Sequence, residues 1–272
     1  MLAVFVLISA PGCNITPSKA TLPIATSLPT ATTPPTATPF PSPTSLPTVA
    51  PARGVAGWQT LQSLHWAGYS FPQKHVTGVR AQWQEPAITG SAGNEEFTWI
   101  GIGGFGPTNN NIIQVGTFAY YPSTGVTNQG IWYELAPTHT QAQFPSIHVN
   151  PGDQIFASVE QLQPPQQSWQ LLLVDVTTGA TFQTVVQFDS LTADPSFVVE
   201  APNDGPASSF GPFYPMPHWG QVTFSHMQVR INTTWISAAT LYGDRIMMVR
   251  KGKTLATAGA LTAASTFTAT QA

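Results

Sequence analysis

The sequence has 272 residues, 42% of them hydrophobic and 11% aromatic, which is ample apolar material for one large core. Only 8% are charged, with a net charge of −3, and this excludes both the charge-rich composition of disordered chains and the basic surface that nucleic-acid binding needs. The cations gather nowhere beyond Arg250, Lys251 and Lys253, and all twelve acidic residues lie between Glu85 and Asp244, so acid protonates few carboxylates and acid tolerance is expected.

Residues 2–9, LAVFVLIS, form an apolar run too short to span a bilayer, followed by Ala10-Pro11-Gly12-Cys13. Small residues ahead of a cysteine at the end of such a run resemble a bacterial lipoprotein signal, which implies lipidation at Cys13. Pro11 and the lack of a preceding basic residue depart from that pattern, and an ordinary cleaved signal with an incidental cysteine is the other reading. Cys13 is the sole cysteine, so no internal disulfide exists. Residues 14–53 are dominated by Thr, Pro, Ser and Ala, a composition that cannot bury enough apolar surface to offset its ordering entropy. A disordered stalk is expected there, between a signal segment at 1–13 and a folded domain at 54–272. The domain is then expected outside the cell or at its surface, touching a membrane only through the lipid.

From Trp58 onward, short strand-like runs alternate with Gly, Pro, Asn and Asp, without sustained helical periodicity. The expected strands are HWAGYSF, VTGVRAQWQEP, EFTWIGIGG, NIIQVGTFAYY, GIWYELAP, SIHVN, DQIFASVEQL, WQLLLVDVTTG, TFQTVVQF, SFVVEAP, WGQVTFSHMQVRI, RIMMVRKG and TFTAT. About thirteen strands in roughly 215 residues indicate an all-β fold, most economically a two-sheet antiparallel β-sandwich. Pro151-Gly152-Asp153 reads as a turn.

Within NIIQVGTFAYY, side-chain alternation places Ile112, Gln114, Gly116, Phe118 and Tyr120 on one face. A buried primary amide without partners costs on the order of 1–3 kcal/mol, so Gln114 is either satisfied by a neighbour or kept for chemistry; Gly116 is expected to leave open space beside it. Glu200 ends SFVVE with Val198 on its own face, and Glu134 shares a face with Trp132. Apolar surroundings raise a carboxyl pKa, as acid–base catalysis requires, although for an isolated strand glutamate a structural role with a buried partner is the default reading.

Other chemistries lack their residues. No G-x-S-x-G occurs, Cys13 is terminal, and Asp189-Ser190-Leu191 lacks the glycine of the two-aspartate peptidases. The histidines at 65, 75, 139, 148, 218 and 226 show neither H-E-x-x-H nor H-x-H, so no metal or other cofactor is expected.

Seven short motifs appear in order: Trp66-Ala67-Gly68, Trp83 to Pro86, Trp99 to Gly104, Ile113 to Gly116, Trp132-Tyr133-Glu134, Gly152-Asp153 and Val199-Glu200. Together they resemble the glutamic endopeptidases, or eqolisins, whose motifs run N-W-A/S-G, W-x-V-P, W-V-G-I-D-G, L-Q-T-G, W-Y-E-W, G-D and W-I-V-E. The resemblance implies a concanavalin-like jelly roll and an acid endopeptidase, acting on unfolded protein or peptides as a monomer. It carries the catalytic glutamine onto Gln114 and the catalytic glutamate onto Glu200, on strands expected to be neighbours, with Trp66, Trp132 and Glu134 as cleft residues that bind substrate. Gly103 replaces a family aspartate, from which a smaller rise in the Glu200 pKa and a shifted pH optimum are expected; Leu135 and Ala201 also depart from the pattern. A carbohydrate-binding or glycoside-hydrolysing sandwich, with Glu134 and Glu200 as its pair, is the alternative, and a catalytically inactive binding domain is a third.

Overall fold

Strand follows strand from Thr60 to Gln271 in the computed structural model, which describes residues 59–105, 111–123, 126–137, 142–144, 147–202 and 213–272. The signal segment with Cys13 and the stalk lie outside the described residues. The first eight strands are β1 (Thr60–Ser63), β2 (Trp66–Ser70), β3 (Val76–Gln84), β4 (Glu95–Gly103), β5 (Ile112–Ser123), β6 (Val126–Ala136), β7 (Ala142–Phe144) and β8 (Gln154–Gln161). The second eight are β9 (Ser168–Asp175), β10 (Thr181–Gln187), β11 (Pro195–Glu200), β12 (Gln221–Ile231), β13 (Thr234–Ser237), β14 (Asp244–Arg250), β15 (Lys253–Ala258) and β16 (Phe267–Gln271). A single turn of 3-10 helix, Ala238–Thr240, interrupts them.

The hydrogen-bonded order is β10-β9-β8-β3-β12-β16-β15-β14-β2-β11-β4-β5-β6-β7, with β13 on β12 and β1 on β14. The expected two sheets are therefore one continuous ladder that doubles over into two layers through β16, β15 and β14. The β1–β14 pair is parallel, unlike the rest, so the sandwich is not wholly antiparallel. The layers meet where β3 lies against β4, β8 against β4 and β5, β9 against β5, and β12 against β11. Trp83, Ile100, Ile113, Val115, Val159, Leu171, Phe197 and Phe224 are among the buried side chains filling the gap.

Burial follows the alternation in the sequence. On β9, Trp169, Leu171 and Leu173 face the core while the intervening residues keep partial exposure. On β4 and β5 nearly every residue is buried, because their second face carries a separate apolar cluster of Trp66, Phe97, Trp99, Ile112, Phe118, Trp132, Val198 and Ile246. Burial on both faces makes these strands read as near-continuous apolar runs.

Three strand expectations need correction. SIHVN is not a strand: residues 147–150 are irregular, and Asp153 Oδ2 accepts from the Asn150 backbone N–H at 2.7 Å and from its Nδ2 at 3.1 Å. That side chain draws the backbone into the Pro151-Gly152 turn before a ladder can form. The short strands β1, β7, β13 and β15 were not legible as apolar runs. Finally, β5 and β11 are not neighbours, since β4 pairs with both.

Candidate active site

Gln114 is the third residue of β5, directly opposite Glu134 on β6 and Gly101 on β4. A Cβ at position 101 would lie 2.8 Å from the Gln114 Cβ, so the strands approach this closely only because residue 101 is glycine. The Gln114 amide turns toward β6, and its Nε2 donates to Glu134 Oε2 at 2.6 Å. The residue is 4% exposed, and its Oε1 is buried with no hydrogen-bond partner among the described residues. A buried acceptor left unpaired is uncommon in folded proteins and marks a place where an incoming donor is gained without displacing a protein partner. Gly116 does not open the expected space beside it: a Cβ there would meet the Thr98 carbonyl oxygen at 2.1 Å and the Trp99 side chain at 2.6 Å.

Glu200 closes β11 on the same face, opposite Trp66 on β2 and Phe97 on β4. The Trp99 indole N–H donates to Glu200 Oε2 at 2.7 Å. Burial pushes the Glu200 carboxyl up to about 8. The Trp66 indole N–H opposes that rise without reaching hydrogen-bond geometry, the nearby Glu134 charge adds to it, and Trp99 again opposes it. Burial dominates, so losing an acidic neighbour at Gly103 does not bring this carboxyl down toward its ordinary value. Glu134 is also raised by burial, against the favourable donation from Gln114.

Gln114 and Glu200 thus share a sheet face and a network, without touching. On β11 the row containing Gln114 passes through Ser196, and Glu200 stands four residues further along with β4 between. Glu134 links them, hydrogen-bonded to one and electrostatically coupled to the other. The aromatic residues form the surrounding wall. Trp66 packs edge-on against Trp99 at 5.0 Å and is stacked with Phe105 at 6.5 Å. Trp132 is 2% exposed, packs edge-on against Phe97 at 4.6 Å, and donates its indole N–H to the Thr117 carbonyl at 2.9 Å. Its polar edge is therefore already occupied, and it lies on the same face opposite Gly116, two residues along the ladder from the Gln114–Glu134 pair.

Two features escaped the sequence reading. Trp99, noted there only as part of a motif, is the direct donor to Glu200. Glu85 and Glu96 form a second acidic cluster on the inter-layer side, 2% and 1% exposed. Thr98 Oγ1 donates to Glu96 Oε1 at 2.7 Å, while Trp83 Nε1 and Gln129 Nε2 reach Glu85 at 3.4 Å. Burial raises Glu85 to about 7 and Glu96 well above the ordinary carboxyl range; the Glu85 charge adds to the rise of Glu96, and Asp153 adds to that of Glu85.

Gly103, where the family aspartate was expected, has φ +99°, and a Cβ there would meet the Asn111 carbonyl oxygen at 1.9 Å. In this backbone the position is closed to any side chain, so the departure is built into the β4–β5 junction. A surface cavity of about 510 Å³ bordered by Pro86, Pro151, Trp219 and Gln221 contains neither Gln114 nor Glu200.

The Peptidase A4 family model matches residues 64–271. Among solved structures, scytalido-glutamic peptidase with a transition state analog inhibitor is similar at a TM-score of 0.66 and 19% identity, over 76% of this chain and 98% of that one. SCP-B, a member of the eqolisin family in complex with the tripeptide Ala-Ile-His, is similar at a TM-score of 0.62 and 18% identity, over 76% and 98%. Aspergilloglutamic peptidase from Aspergillus niger is similar at 0.53 and 23% identity, over 66% and 99%. No curated protein matches the sequence.

Proposed function

Because the chain belongs to the Peptidase A4 family, the glutamic endopeptidases, we propose that it cuts unfolded protein or peptides with Gln114 and Glu200 as its catalytic pair. The observation that carries this reading is the Gln114 amide, buried, held through one end by Glu134, and with its carbonyl oxygen unpartnered on the face that also bears Glu200. An ionised Glu200 takes a proton from a water whose oxygen attacks the scissile carbonyl. Gln114 Oε1 accepts the second proton of that water as a hydrogen bond, and the Nε2 hydrogen not used by Glu134 serves the oxyanion. Glu200 then passes its proton to the departing amine, the C–N bond breaks, and the carboxyl product leaves with Glu200 ionised again.

The pH range follows from the base. A carboxyl held up to about 8 is mostly protonated in acid, so kcat/KM of the free enzyme rises with pH through that region. The strongly acid optimum implied by the resemblance therefore gives way, in this proposal, to a working range displaced toward neutrality. The carbohydrate alternative pairs Glu134 with Glu200; Gln114 is not remote from that pair, since it bonds Glu134 at 2.6 Å, although it does not contact Glu200. Outside the described residues, we propose lipidation at Cys13 and a stalk that holds the domain at the outer surface, which mass spectrometry of the mature N-terminus tests.

The deciding experiment follows digestion of a denatured protein from pH 3 to pH 9, with and without pepstatin, by the wild type, Gln114→Ala and Glu200→Gln. Pepstatin-insensitive cleavage in the wild type and its loss in both variants is expected. Removal of one oxyanion donor costs about 3–4 kcal/mol, so Gln114→Ala should lose roughly 10²–10³-fold in kcat with folding unchanged. Retention of wild-type turnover by folded Gln114→Ala refutes the assignment.

A further inference from the structure

The geometry points to Glu134 as a positioning residue, whose carboxylate fixes which end of the Gln114 amide faces the reacting water. This inference rests on the Gln114/Glu200 reading above and adds a role to it. An amide is nearly symmetric in shape, so packing alone holds its oxygen and nitrogen ends only weakly apart, and hydrogen bonding has to decide. Around Gln114 the deciding group is Glu134. It lies directly across the ladder and accepts from Nε2 at 2.6 Å, the short distance of a charge-assisted bond. The opposite ladder position is Gly101, which offers no side chain to compete.

An ionised carboxylate only accepts. It therefore binds the nitrogen end and turns Oε1 away from itself, which is the orientation seen: Oε1 is buried and unpartnered. The amide then presents one acceptor and one remaining N–H, the two groups the proposed hydrolysis needs. A neutral amide at position 134 both donates and accepts, so it would bind Gln114 in either orientation. In the reversed one Oε1 is occupied, and no acceptor is left for the water. Glu134 thus acts through Gln114, and a direct contact with substrate is not required of it.

Glu134→Gln tests this with no change in size, because only the acceptor-only character is lost. Loss of a charge-assisted hydrogen bond to a buried group corresponds to about a ten- to hundred-fold change. The expected result is a fall of that order in kcat with KM nearly unchanged, in a protein that still folds cooperatively. The lower-pH limb of kcat/KM should also move to lower pH, since the Glu134 charge is one of the groups raising Glu200. Glu134→Ala should lose at least as much and recover part of its kcat with added formate, a free acceptor that a merely structural role would not respond to. A raised KM with unchanged kcat would make Glu134 a substrate contact and overturn the proposal. Full activity in Glu134→Gln, alongside inactive Gln114→Ala and Glu200→Gln, would overturn it while leaving the catalytic pair standing. Full activity in folded Gln114→Ala would instead remove the pair itself.

Discussion

Replacing Glu85 by glutamine should flatten the loss of stability with rising pH. Glu85 is 2% exposed, and the groups acting on it among the described residues are Thr117, the Trp83 indole and the Gln129 amide, which oppose its rise, and the Asp153 charge, which adds to it. Burial raises it from 4.5 to about 7. Below 4.5 the carboxyl is protonated in both folded and unfolded chains, and the full stability is present. Between 4.5 and 7 the unfolded chain has released its proton and the folded chain has not. Stability therefore falls with rising pH, and the loss levels off once the folded state also ionises. A shift of this size is worth roughly 3 kcal/mol, which for a domain of this length corresponds to about 6–12 °C in Tm. Glu96 acts in the same direction and extends the loss to higher pH; Glu134 and Glu200 add to it. Thermal melts of the wild type and Glu85→Gln from pH 4 to pH 9 check the reasoning through the slope, with the wild type falling more steeply between pH 5 and pH 7. His65, held down to about 4 by burial, tilts both proteins the other way below pH 6.5, so the difference in slope is the readout, and an unchanged slope in the variant would show that Glu85 does not stay protonated in the folded protein.

The other predictions concern the active face. Trp99→Phe keeps the ring and removes the donor to Glu200; the Glu200 carboxyl should rise further, moving the lower-pH limb of kcat/KM upward and lowering the rate at neutral pH about tenfold. Gly103→Asp, which restores the family carboxylate, should not raise activity. Its Cβ would collide with the Asn111 carbonyl at a backbone φ of +99°, and a loss of about 1–3 kcal/mol is expected in denaturant melts. The dyad variants and Glu134→Gln carry the expectations already given for them.

Much of this molecule could be read from residue alternation. The faces of β5, β6 and β11 follow it, with Gln114, Glu134 and Glu200 on one side and Ile113, Val115, Leu135 and Val199 in the inter-layer core. What alternation does not encode is which strands become neighbours. Gln114 and Glu200 were expected on adjacent strands, and β4 lies between them because Phe97 to Gly101 pair on both sides. The same limit hid the role of Trp99, whose donation to Glu200 joins residues 101 positions apart. It also hid the Glu85 and Glu96 cluster, since each looks in sequence like an ordinary polar residue at a strand end. Only the doubling of the ladder brings β3 against β4 and leaves both carboxyls between layers. SIHVN failed for a local reason: its β-branched and apolar residues favour a strand, while the Asp153 side chain captures Asn150 and stabilises the turn instead.

The raised carboxyls act on activity in opposite directions, and their balance sets the working pH. Glu200 serves as base only when ionised, so turnover gains as pH climbs toward about 8. Glu85 and Glu96 stabilise the sandwich only while protonated, so the same climb weakens the fold that carries the site. These carboxyls cause no loss in acid, because Glu85, Glu96, Glu134, Glu200 and Asp244 are all shifted upward and are already protonated in the folded chain when the unfolded chain takes up its protons. The acid-side loss comes from His65, which burial holds down to about 4, so that the unfolded chain gains its proton first between about 6.5 and 4. The lower-pH limb of activity is therefore chemical and the upper limb is a limb of unfolding; they arise on different faces of the same sheet, coupled through the Glu200 charge, which adds to the rise of Glu96. Glu85 does not figure among the groups acting on Glu200, so Glu85→Gln should carry the upper limit of sustained activity to higher pH and leave the lower limb in place. Movement of both limbs together would mean that the inter-layer cluster and the active face titrate as one unit.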